Sequence, residues 1–119
     1  MGKGLLTMWL VTTQGFYSVV RHRRDPDKLI VRGRVREDLE ALREQIPDLR
    51  VFSDRNADYR WRAVVTEAEW VAAIAQLAAD VDYDNFKSAV GERQGHERAR
   101  VYGHVWGELL SLQSVDQDR

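Results

Sequence analysis

The sequence predicts an α+β domain. An antiparallel sheet of four to five strands is covered on one face by helices, in the order β-β-β-α-β-β-α-α-α. Three observations carry this expectation. Apolar and polar residues alternate through much of 7–35 and again over 59–66, which is the period of a strand. Apolar residues recur every three to four positions over 36–46, 66–81 and 96–112, which is the period of a helix. Turn formers separate these stretches at Gln14-Gly15, Asp25-Pro26-Asp27, Pro47 and Gly95. The central strand–helix–strand–helix stretch is compatible with a ferredoxin-like unit.

The first strand is expected over 7–14, with Trp9, Val11 and Thr13 on one side and Met8, Leu10 and Thr12 on the other. Gln14-Gly15 closes a hairpin, because glycine takes the positive φ that a tight turn needs. The aromatic and β-branched run over 16–23 is the return strand. Asp25-Pro26-Asp27 turns the chain into a third strand over 28–35. Leu39, Leu42 and Ile46 then share a helical stripe that Pro47 ends. A short strand is expected over 49–53 and a longer one over 59–66, with Tyr59, Trp61, Ala63 and Val65 facing the helices.

Thr66-Glu67-Ala68-Glu69 has the spacing of a capping box. The helix after it runs to about Val81, with Trp70, Ile74, Leu77 and Val81 on its buried stripe. Asp84 reads as the cap of a short helix through Val90, and Gly95 breaks the chain. The last helix is expected to bury Tyr102, Val105, Trp106, Leu109 and Leu112. The tryptophans are assigned mostly to the core. Residues 1–119 are read as a single domain, with 1–7 and 113–119 as flexible ends.

Composition narrows the functional classes. A chain of 119 residues, 44% hydrophobic and 31% charged, has the make-up of a globular domain with its own core. The absence of cysteine excludes disulfides, thiolate metal sites and a cysteine nucleophile, and suits a reducing cytoplasm. No apolar run approaches the roughly 18 residues that a membrane span requires. The net charge is −1, but residues 1–36 carry +6 and residues 37–119 carry −7. Such a polarity favours binding of a polyanion or of an acidic partner.

The basic third of the chain has an ordered pattern. Arg32 and Arg34 alternate with apolar residues in KLIVRGRVR, and Arg60 and Arg62 repeat the alternation in YRWRAVV. On strands, each pair projects to one face, so an open sheet face lined with guanidinium groups is expected. Arg21 and Arg23 follow Tyr17 and Val19 along the second strand. Arginine beside aromatic residues on an open sheet suits single-stranded nucleic acid. The plainer alternative is that the arginine stems cover apolar surface while their heads pair with Asp and Glu.

Two further clusters hold chemistry-bearing residues. His96, Arg100, His104 and Glu108 lie four residues apart on the last helix. There Glu108 would orient His104 as a general acid or base, and Arg100 would stabilise an anion. A solvated helix face explains the same spacing. Asp80, Asp82 and Asp84, near Lys87, have the residue types of a Mg²⁺ site but not the offsets of a calcium-binding loop. Gly103 and Gly107 suggest close approach of another helix. No phosphate-binding loop, dinucleotide fingerprint, nucleophile elbow or zinc spacing occurs.

The segments MWLVTTQGFYSVV, DYDNFK and VYGHVW resemble a family of small bacterial proteins without known activity, across residues 8–112. That resemblance implies no site residues.

The leading expectation is a non-catalytic binding module in the cytoplasm, engaging nucleic acid or an acidic protein through Arg21, Arg32, Arg34, Arg60 and Arg62. No cofactor, metal or membrane contact is expected. The alternatives are a metal-independent ribonuclease or phosphodiesterase using Arg100, His104 and Glu108, and a structural or regulatory homodimer.

Overall fold

The computed structural model describes residues 7–117. Contacts gather into two compact units, one through Val81 and one from Asp82.

The first unit is a five-stranded sheet with helices on one face. Its strands are β1 (Met8–Val11), β2 (Phe16–Arg21), β3 (Lys28–Gly33), β4 (Phe52–Ser53) and β5 (Trp61–Thr66). Helix α1 (Arg36–Ala41) continues into a 3₁₀ turn at Leu42–Glu44, and α2 spans Glu67–Ala79. All pairings are antiparallel, in the spatial order β1-β2-β3-β5-β4. The strands on either side of α1 are β3 and β4; each pairs antiparallel with β5, which lies between them, so they run parallel to one another. This β3-α1-β4-β5 stretch has the split β-α-β order that a ferredoxin-like unit contains, joined here to the β1–β2–β3 meander.

The core lies on one face of this sheet. Tyr17, Val19, Val31, Ala63 and Val65 alternate onto it and pack with Leu39, Leu42, Ile46, Leu49, Trp70 and Ala73. Gly33 belongs to this layer because a Cβ there would collide with the side chain of Leu39. The capping box forms as expected. Glu69 N donates to Thr66 Oγ1 at 3.1 Å, and Thr66 N donates to Glu69 Oε1 at 2.8 Å. Helix α2 ends at Ala79, so Val81 lies beyond it and is exposed.

A buried carboxylate, Asp38, ties α1 to the first hairpin. Asp38 Oδ2 accepts from Phe16 N at 3.0 Å, and the Asp38 carbonyl accepts from Tyr17 OH at 2.7 Å. Gly15 does not take the positive φ expected of it; glycine is needed there because a Cβ would stand 2.8 Å from Asp38 and from the Tyr17 hydroxyl. Trp70 is buried and Trp61 packs on the core margin. The assignment of tryptophans mostly to the core fails for the other two, since Trp9 is 65% and Trp106 67% exposed.

The second unit pairs α3 (Phe86–Gln94) with α4 (His96–Gln117). The cap of α3 is Asn85, not Asp84, with Ser88 N donating to Asn85 Oδ1 at 2.9 Å. Asn85 immediately precedes the first helical residue, from which its side chain reaches the third amide. Gly95 separates the helices at φ 96°, a conformation that favours glycine.

The expected burial along α4 is only partly realised. Tyr102 is half-buried and stacks on Phe86 at 6.0 Å, whereas Val105, Trp106, Leu109 and Leu112 are exposed. Length explains this. Nine helical residues span about 14 Å and twenty-two about 33 Å, so α3 covers the beginning of α4 and cannot reach its far half. Regular helix continues through Gln117; the remaining residues expected to be flexible, 1–6 and 118–119, lie outside the described ones. Among the described residues, no helix is long and apolar enough to cross a membrane.

Candidate functional site

Strand register assembles the site. Trp9 pairs with Ser18, Ser18 with Arg32, Arg32 with Arg62 and Arg62 with Phe52. Directly paired residues share a face, so these five form one row across the whole sheet. Adjacent pairs on the same face are Val11 with Phe16, and Val20 with Ile30 and Val64. This is the face opposite the core layer of Tyr17, Val31 and Ala63. Trp9, Val11, Phe52 and Val64 all expose substantial apolar surface on it.

The arginine heads are held in place by neutral groups. Arg32 Nη2 donates to Ser18 Oγ at 2.7 Å, and its Nε donates to the Ser18 carbonyl at 3.4 Å. Its guanidinium carbon lies 4.7 Å from the centre of the Tyr59 ring. Arg34 sits 4.3 Å from the same ring centre and donates from Nη1 to the Asp58 carbonyl at 2.9 Å. Arg62 Nε donates to the Tyr59 carbonyl at 3.2 Å. Among the described residues, no carboxylate comes within 4.0 Å of Arg32, Arg34, Arg60 or Arg62. Their charge is therefore not neutralised by ion pairing. A guanidinium has five N–H donors, and these contacts occupy two on Arg32 and one each on Arg34 and Arg62.

An aromatic chain leads from this cluster to the sheet edge. Tyr59 contacts Phe16 at 6.4 Å, and Phe16 meets Trp9 edge-to-face at 5.6 Å. Tyr59 corrects one sequence expectation. It was assigned to the helix-covered layer, but β5 begins only at Trp61, and the Tyr59 ring lies under Arg32 and Arg34. The alternation of β5 does not extend to residues ahead of the strand.

Two expected arginines stand apart. Arg21 pairs in register with Leu29 on the covered face, and its Nη1 lies 2.8 Å from Glu67 Oε1 and 2.9 Å from the Pro26 carbonyl. Parity places it opposite Arg32, so it leaves the site. Arg60 precedes β5 and turns its guanidinium over Trp61 at 5.1 Å, where Arg36 also lies, at 5.5 Å. Trp61 pairs with Gly33 on the covered side.

The other candidates disperse. His96, Arg100, His104 and Glu108 are all exposed on α4. Arg100 Nε lies 2.7 Å from Glu97 Oε2, and each holds the other in its charged form, lowering the Glu97 pKa and raising that of Arg100. Arg100 Nη1 also comes within 3.2 Å of His104 Nε2. No hydrogen bond joins the Glu108 carboxylate to His104 among the described residues, so the orienting contact expected of Glu108 is missing.

Asp82 is engaged by Arg93 at 2.6 Å, and that contact raises the Arg93 pKa. Among the described residues, no group of three or more His, Cys, Asp or Glu is placed to hold a metal ion. Among the described residues, no helix of the same chain makes the close approach expected at Gly103 and Gly107. A Cβ at Gly103 would make ordinary contact with the Lys87 stem at 3.9 Å, and one at Gly107 would meet nothing within 4 Å.

Ser18, Tyr59, Trp9 and Phe52 were missed as parts of the site. The arginine alternation was visible in the sequence, but their place beside it depends on register and on where β5 starts. No protein-family model matches the chain, and no match was found among curated proteins or among solved structures.

Proposed function

We propose that this protein is a binding module for a phosphate-bearing polyanion, and that the open sheet face around Arg32, Arg34 and Arg62 is its binding surface. One observation carries the reading. Three guanidinium groups are gathered on one face, braced by Ser18, Tyr59 and backbone carbonyls, and have no carboxylate partner within 4.0 Å among the described residues. A structural role for the arginines would pair their heads with the abundant Asp and Glu of the chain. Fixed heads with unused N–H donors suit bidentate recognition of phosphate.

Binding of fluorescently labelled polyphosphate, followed by anisotropy, tests this reading. Affinity is expected to fall steeply as salt rises, and to fall also in the Arg32→Ala/Arg62→Ala variant at fixed low salt. Unchanged affinity in that variant contradicts the assignment of this face.

A further inference from the structure

We infer that the polyanion is a single-stranded nucleic acid, lying across the strands with bases stacked on Trp9 and Phe52. This inference rests on the polyanion reading above and adds the class of ligand.

The two aromatic residues stand at opposite ends of the arginine row. Trp9 is on edge strand β1 and Phe52 on edge strand β4, with Ser18, Arg32 and Arg62 between them. Adjacent strands are about 4.8 Å apart, so the row is about 19 Å long. That length suits a few nucleotides, on the scale of the two or three bases stacked by other open-sheet modules.

Exposure separates these rings from packing residues. Trp9 is 65% and Phe52 47% exposed, although both are large and apolar. Both therefore leave apolar ring surface in water beside cations that have no carboxylate partner among the described residues. Trp9 is nevertheless braced, by its edge-to-face contact with Phe16. A ring held in position but left open is a stacking platform, and bases of any sequence can use it.

The chemistry selects the occupant. Arginines alone would take any polyanion, and exposed aromatics alone any apolar surface. Their combination in one row, with an aromatic at each end and two adjacent arginines between, matches a strand that carries both flat apolar bases and phosphates. A duplex offers phosphates but keeps its base faces stacked inside, where Trp9 and Phe52 cannot reach them.

The test compares four labelled ligands at constant low salt: a U-rich RNA 12-mer, the equivalent T-rich DNA strand, a mixed-sequence duplex and polyphosphate. Both single strands are expected to bind at least tenfold more tightly than the duplex. Trp9→Ala and Phe52→Ala should each weaken single-strand binding by about five- to hundredfold, the range expected for one stacked base. Neither should shift polyphosphate affinity more than about twofold, which also shows that the variants remain folded and keep the arginine face.

Two different failures can be told apart. If polyphosphate binds through Arg32 and Arg62 but the duplex binds as well as the single strands, or if both aromatic variants behave like the parent, the single-strand inference is overturned and the polyanion reading stands. If none of the four ligands binds, both fall.

Discussion

Arg32 illustrates how side-chain chemistry shapes the face. Its head reaches the Ser18 hydroxyl and carbonyl with two different nitrogens and lies against Tyr59. Lysine carries the same charge but has neither the planar fork nor the stacking surface. Arg32→Lys is therefore expected to weaken polyanion binding by about 1 kcal/mol, roughly fivefold, with net charge unchanged. Arg60→Ala should matter less than Arg32→Ala, because the Arg60 head is turned to Trp61. A titration of each variant with the same ligand checks both expectations.

Two tryptophans of similar sequence context should likewise differ sharply. Trp70→Ala empties the core and should cost about 3–5 kcal/mol in chemical unfolding, whereas Trp106→Ala at an exposed site should stay within about 0.5 kcal/mol.

At the level of the elements, the clearest sequence signals were those complete within a few residues. The Thr66–Glu69 box appears with both of its hydrogen bonds, and Thr66→Ala should destabilise the first unit by about 1 kcal/mol. Strand alternation correctly put Arg32 and Arg62 opposite the core because it depends only on neighbours. It misplaced Tyr59, since strand ends are set by pairing partners, and it was silent on Ser18, whose role needs the β2–β3 register. Along α4, helical period marked an apolar stripe but carried no information on the length of the helix meant to cover it.

The Glu97–Arg100 pair on α4 gives a test in pH. Arg100 holds the Glu97 carboxyl below its ordinary value of 4.5. A depressed carboxylate pKa contributes stability above the unfolded value, and that contribution is lost as pH falls through the folded one. Carbon-13 titration of Glu97 should therefore show a midpoint below 4.5, returning toward it in Arg100→Ala.

Across the whole molecule, charge is the feature that sequence composition and three-dimensional placement explain together. The +6 of residues 1–36 beside the −7 of the remainder is the basis for expecting a directional surface. It also raised the prospect that acidic residues would neutralise the arginines. Several basic residues are in fact paired, with Arg21, Arg36 and Arg43 engaging Glu67 or Glu40. Among the described residues the row on the open face is not, nor are Arg23, Arg24, Arg50 and Arg55; the row differs in that its heads are held by Ser18, Tyr59 and backbone carbonyls.

The most direct test of binding at this row is the salt dependence of binding to a labelled single strand between 50 and 200 mM, an interval over which phosphate contacts are strongly weakened. Three phosphate contacts predict a log–log slope of about −2, and the Arg32→Ala/Arg34→Ala/Arg62→Ala variant should flatten it toward zero. A slope of about −2 that survives the triple substitution would place the binding elsewhere on the protein and contradict the account.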